Sequence, residues 1–325
     1  MQKQTENFRN EIVESVRAAQ ARMPGGQLHL IYSPELSDPL ALRSGKSLRD
    51  VAPLVPRRLP EEWKSDDYPR VVTLDCMRVA KYLFETEAGR DDPLFDASIS
   101  QAYAEVVLNE RASLTVVNDN PGSSESAVCG WVISRQSAAQ FANRIQSHAY
   151  PLRVGANRVW IRWHNPVYLF ALWPTLNSVQ KRALLGDAVW ITHDLQGTLR
   201  VLCADDEIPE SSLHGIGFRA DEMQWRRFDN AQTVAQLLRN WRAQCEEDAF
   251  SVPEDASERL MTHLLAACRL GLRGDNKAIY AMTLSRLSAD AESVPEWRLL
   301  IEQTVRGENT LRDGLPTLPE KFWNR

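Results

Sequence analysis

Paired cysteines, long apolar runs and the short motifs of the common enzyme classes are all missing from this sequence. Its five cysteines, Cys76, Cys129, Cys203, Cys245 and Cys268, are scattered, and none forms a CxxC pair that could begin a zinc or redox site. An odd and dispersed set fits free buried thiols in a reducing compartment, so no disulfide framework is expected. No apolar run approaches the roughly 18 to 20 residues that cross a bilayer, because Arg, Asp or Pro interrupts each candidate. The N-terminal stretch MQKQTENFRNEIVESVR carries carboxylates where an export signal needs an uninterrupted apolar core. A cytoplasmic protein without membrane insertion is expected.

Catalytic and cofactor motifs are equally scarce. A Gly-rich phosphate loop, a GxSxG elbow and an HExxH helix do not occur. His164 and His193 belong to no HxxxH or HxH pair, so no metal site is expected. His148 shares a helical face with Phe141 and Ile145, the setting of a core histidine. Cys129 is the candidate nucleophile of an enzyme reading, a cysteine-dependent hydrolase, but its place in an apolar strand suits an inert thiol better. The adjacent pairs Asp66-Asp67, Asp91-Asp92 and Asp205-Asp206 lie in polar loops and read as solvated charge. No enzyme activity and no cofactor are expected.

Against these absences stands an ordinary globular composition. Of 325 residues 43% are apolar, enough for a substantial core. A net charge of −5 gives no global attraction to nucleic acid or anionic membrane, although local basic strips are compatible with it.

Thr5 can cap a first helix with Phe8, Ile12, Val16 and Ala19 at helical spacing and Gly25-Gly26 at its end. Leu28, Leu30 and Tyr32 alternate as a strand. From Pro34 to Pro69 the Pro-rich sequence reads as irregular. Arg70 to Leu74 reads as a buried strand, Phe95 to Leu108 as a helix, VNDNPGSSES as a polar loop, CGWVIS as a strand and Ser137 to His148 as a helix. A Gly155-Ala156-Asn157 turn then leads into VWIRW, read as a strand alternating Val159 and Ile161 against Trp160 and Arg162. Asn165-Pro166 opens a helix to about Trp173, a second helix over Val179 to Leu185 ends at Gly186, and AVWITH-DLQG-TLRVLC reads as two strands joined by a turn containing Gly197.

From Asn230 onward only helical stripes appear: Val234, Leu237, Leu238 and Trp241; Leu260, Leu264 and Cys268; Ile279, Met282 and Leu287; Trp297, Leu300, Ile301 and Val305. The tail LRDGLPTLPEKFWNR is expected to lie extended. The fold class is α+β: a mixed lobe over 1–229 with a mainly antiparallel sheet, then an all-helical lobe over 230–325.

The densest local feature is Arg153, Arg158 and Arg162 with Trp160 and Trp163 inside eleven residues. Arginine with aromatics is the composition of protein hot spots and of nucleic-acid platforms. An acidic whole without a nucleic-acid motif favours protein, and a nucleic-acid module is the alternative. A third reading leaves the arginines as cover for the sheet and the tryptophans as core.

Four landmarks in order, LHLIYS with the Pro-rich APLV segment, GWVIS with its helix, VWIRWHNPVYL, and LLGDAVWITHDLQG, resemble the adaptor/chaperones of type VI secretion known as Tap or Tec proteins. The family's pattern of arginine, aromatic, any residue, Asp-Pro falls here on Arg162, Trp163, His164, Asn165 and Pro166, with Asn165 in place of Asp. That keeps a helix cap and loses a carboxylate. The resemblance covers roughly residues 27 to 203. It implies a non-enzymatic adaptor that binds a secreted effector protein and loads it onto the trimeric spike protein of the injection apparatus, with no cofactor. The residues expected to bind partners are Arg158, Trp160, Arg162, Trp163, Asn165 and Pro166.

Overall fold

The computed structural model describes residues 2–33, 51–53, 70–74, 93–112, 128–153, 155, 158–204, 218–248, 251–287 and 292–323. The chain divides into two compact units, Met1–Asp221 and Glu222–Arg325. The first is α+β around an antiparallel sheet and the second is helical among its described residues.

In the first unit, α1 (Gln2–Arg22) leads to β1 (Gln27–Tyr32), followed by β2 (Val51–Pro53), β3 (Arg70–Thr73), α2 (Pro93–Ala112), β4 (Val128–Ser134) and α3 (Ala138–His148). Then come α4 (Pro166–Leu172), α5 (Ser178–Leu185), β5 (Val189–His193) and β6 (Leu199–Leu202). The six strands lie in the order β2-β3-β1-β4-β5-β6, every ladder antiparallel.

Registers place Leu28, Ile133 and Val189 in one row and Leu30, Trp131 and Ile191 in the next. This face packs on Ile12, Val16 and Ala19 of α1 and on Phe95, Ile99 and Ala102 of α2. The opposite face carries Trp190, whose ring meets Phe141 of α3 edge to face. Helices therefore cover both faces, and β1 is buried at nearly every residue instead of alternating with solvent.

Three expectations change here. Helix α1 begins at Gln2, so Thr5 lies inside it; Gln2, Lys3 and Gln4 are good helix formers and carry it past that cap. Within the stretch expected to be irregular, Val51–Pro53 forms an edge strand on β3, where Pro53 is tolerated because an edge leaves one side of the backbone unpaired. The rest of Pro34 to Pro69, Leu54 and Val55 of APLV, Cys76, VNDNPGSSES and the three aspartate pairs lie outside the described residues.

The third change concerns VWIRW, which is not a strand; Leu152 and Arg158 form one isolated bridge. Val159 N–H donates to Pro151 O at 3.1 Å and Ile161 N–H to Ala149 O at 2.7 Å. The reciprocal bonds a ladder needs are blocked, because Pro151 has no N–H and the Ala149 N–H donates back to Gln146 O at the end of α3.

Strand β4 contains a bulge. Ile31 pairs with Gly130 and Tyr32 with Val128, leaving Cys129 as the extra residue. Gly130 has φ +132°, and a Cβ there would lie 2.5 Å from Ile191 O, so only glycine fits. The bulge turns the Cys129 carbonyl towards β5, where it accepts from Thr192 Oγ1 at 2.9 Å and Trp190 Nε1 at 3.3 Å.

The second unit holds α6 (Glu222–Asp248), α7 (Ala256–Leu270), α8 (Gly274–Arg286), α9 (Pro295–Arg306) and the short α10 (Leu311–Gly314) and α11 (Glu320–Trp323). Its first helix starts at Glu222, ahead of Asn230, where the sequence pattern changes to helical stripes. Stacked rings of Tyr280, Trp297 and Phe322 form the axis of the core. Arg227, 6% exposed, makes a bidentate ion pair with Glu258 that ties α6 to α7. Val305 and Cys268 face solvent, and Thr304 takes the inner position on α9. The tail is not extended: Thr310 caps α10, Pro316 opens a 3-10 turn, and Leu311, Leu318 and Phe322 are buried.

Candidate functional site

The six residues expected to meet a partner lie on and just after a narrow closed loop that runs from His148 to Trp163. Helix α3 is opened by a reciprocal capping box between Ser137 and Gln140 and delivers His148 at its last turn. From there the chain goes out through Pro151 and Leu152 and returns through Arg158 to Ile161, closed by the two backbone bonds above and by Arg158 donating to Tyr150 O at 3.2 Å.

At the base, Trp163 is 1% exposed, packs edge to face on Phe218 at 5.0 Å and donates its Nε1–H to His148 O at 3.0 Å. His164 and Asn165 are buried with it. Asn165 Oδ1 accepts from Val167 N–H at 2.9 Å, and Pro166 occupies the first turn of α4, so this pair starts the helix as its sequence indicates.

The outer face differs. Leu152 is 67% exposed, Arg158 is exposed, and the Arg162 guanidinium lies 5.1 Å from the centre of the half-buried Trp160 ring. The loop thus brings Arg158, Trp160 and Arg162 to one surface, with Trp163 and Asn165 beneath them as supports. Leu152 joins this surface beyond the residues expected from the sequence, through the antiparallel bridge that pairs it with Arg158 across the Gly155 turn.

The sequence carries a second signal in this region. From Ser126 to Gly186 there is no Asp or Glu, whereas the stretch contains Arg135, Arg144, Arg153, Arg158, Arg162, Lys181 and Arg182. Lys181 repeats the Arg162 arrangement, with its ammonium 5.2 Å from the centre of the Trp173 ring. Arg144 reaches across from α3 to α5 by donating to Ala183 O at 3.3 Å.

Burial lowers the pKa of three histidines of the first unit, two of them beside this loop. His148 is lowered to about 4 by desolvation and then by the Arg144 charge, against a hydrogen bond with the Ala183 backbone. His164 is lowered to about 3 by desolvation and by Arg162. His193 is lowered to about 4 by burial, with Asp194 opposing; its ring stacks on Phe8 of α1 at 4.8 Å. Cys129 is 1% exposed inside the bulge. No group of three or more His, Cys, Asp or Glu among the described residues could hold a metal ion, and none of the described helices is long and apolar enough to cross a membrane.

No protein-family model, curated protein or solved structure matches this chain.

Proposed function

We propose that this chain is a non-enzymatic adaptor that docks another protein, and that it serves as an effector-loading chaperone of type VI secretion. The observation that carries the docking reading is the loop from His148 to Trp163, closed at its base by a buried tryptophan and displaying Leu152, Arg158, Trp160 and Arg162 outward. Arginine and tryptophan are enriched among interface residues that dominate affinity, and the Arg162 guanidinium already held over the Trp160 ring has less side-chain freedom left to lose on binding. The order of landmarks from LHLIYS to LLGDAVWITHDLQG supports the narrower assignment. In that role the protein works in the cytoplasm of the producing cell, holds a secreted effector and passes it to the trimeric spike. The depth of Cys129 counts against the hydrolase alternative, because a thiolate nucleophile needs access to substrate.

The test is capture by the tagged full chain from lysate of the producing cell, with bound proteins identified by mass. The expected result is one effector in stoichiometric amount together with spike protein, both reduced when Arg158 and Arg162 are replaced by alanine. Capture of neither protein by the folded chain overturns the assignment.

A further inference from the structure

The acid-free stretch concentrates charge on one part of the first unit. The whole chain carries −5 and this stretch, with its seven cations, +7, so the remaining residues carry −12. The stretch builds β4, α3, the closed loop, α4 and α5. Helix α3 packs on α5 and lies against β2 and β3, on the sheet face opposite α1 and α2. Arg135 pairs with Asp187, the first carboxylate after the stretch, only at 3.9 Å.

We propose that the outer face of the closed loop is a docking surface for an acidic polypeptide segment, with Arg158 and Arg162 reading its carboxylates and Leu152 receiving its apolar side chains. The proposal rests on the protein-docking reading above and adds the chemistry of the partner. Three observations favour an acidic peptide over nucleic acid. The chain is acidic as a whole, −5, and so offers a polyanion no long-range attraction, whereas a short segment feels mainly the charges within a Debye length, about 8 Å at physiological salt. The Trp160 and Trp173 rings each already have a cation over them, and Trp160 has His164 at 6.3 Å, so they are not the open stacking platforms that single-stranded nucleic acid uses. An aliphatic side chain as exposed as Leu152 beside arginine suits a mixed acidic and apolar peptide.

The test uses the full chain and a labelled peptide of glutamates interspersed with leucines, its lysine-for-glutamate counterpart, and a labelled oligo-dT of equal negative charge, all followed by fluorescence anisotropy. The glutamate peptide is expected to bind with affinity that falls as salt rises, and the lysine peptide not to bind. Arg158→Glu with Arg162→Glu is expected to weaken the glutamate peptide by about tenfold or more, while the double lysine variant retains most of the affinity. Should the reversal variant melt early, Arg158→Gln alone is read in the same way, since Arg158 is exposed. Absence of glutamate-peptide binding, binding indifferent to the charge changes, or oligo-dT bound as tightly as the peptide overturns the proposal, the last by assigning the surface to nucleic acid. Effector capture without peptide binding would remove this proposal and leave the adaptor standing; peptide binding without effector capture would do the reverse.

Discussion

Trp163 Nε1 donates to the carbonyl oxygen of His148 at 3.0 Å, fastening the return limb of the closed loop to the last residue of α3. The bond is buried, so the carbonyl has no water to replace the indole. Trp163→Phe keeps a ring against Phe218 and removes this donor, and is expected to cost about 1–3 kcal/mol. Trp163→Ala also opens a cavity and is expected to cost about 3–5 kcal/mol. Urea denaturation of both variants checks the order; equal losses would mean that the ring contributes nothing beyond the hydrogen bond.

Arg162 is placed differently from its neighbour. Its guanidinium lies over Trp160 at a half-buried position, so Arg162→Ala is expected to lower stability by only about 0.5–1 kcal/mol. Affinity for the protein partner should fall by more than about 1 kcal/mol, as for a truncated anchor. Melting and partner titration on the same sample separate the two effects. A large drop in melting temperature with unchanged affinity would mark Arg162 as an internal strut.

The contrast between Trp163 and Trp160 shows how far the sequence could be read. Period and glycine stops were sufficient for α3, α5 and the β5–β6 hairpin, because the spacing of Phe141 and Ile145, Gly186 and the Asp194–Gly197 turn act locally, and the structure adds reciprocal caps at Ser137 and Asn177. The alternation read in VWIRW holds at Ile161, which is buried between the less buried Trp160 and Arg162, and fails at Val159, which is half-buried as they are; the segment joins no sheet because Pro151 and Ala149 have no N–H left to exchange. Burial of Trp163 follows from Phe218, which lies so far along the chain that no local pattern encodes the contact.

Stability should fall with acid in a window set by buried histidines. His148 and His164 titrate near 6.5 when unfolded and at about 4 and about 3 when folded. The unfolded chain therefore binds more protons below 6.5, so their contribution is complete above that pH and is lost progressively as pH falls towards the folded values. Each is expected to cost up to about 3 kcal/mol by pH 4, at 1.36 kcal/mol per pKa unit. Thermal melts of wild type and His164→Gln across that range should show a shallower decline in the variant. Parallel declines would mean that His164 does not titrate with unfolding.

The bulge in β4 depends on Gly130, and its replacement should be among the costliest single changes in the first unit. Alanine there combines a positive φ with a Cβ 2.5 Å from Ile191 O and 2.6 Å from Trp190 Nε1, groups fixed by the sheet and by the Cys129 carbonyl. An expected loss of about 3 kcal/mol or more follows from strain and overpacking together. Urea denaturation measures it, and a loss below about 1 kcal/mol would mean that the strand relaxes to a regular register.

Cys129→Ser probes the same bulge from the side of function. Serine keeps the backbone, so the carbonyl can still accept from Thr192 and Trp190, and the change reduces to burying a hydroxyl in place of a thiol. That substitution is expected to cost about 1–3 kcal/mol when the hydroxyl has no ready partner. Partner capture by the folded variant should match wild type, because a side chain 1% exposed touches no bound protein and, in an adaptor, performs no chemistry. The measurement is capture per mole of folded protein, at a temperature where circular dichroism shows both forms folded. Loss of capture under those conditions would give the thiol a chemical role and turn the assignment towards a cysteine enzyme, whereas retained capture with a lowered melting temperature leaves Cys129 as a core residue of the sheet.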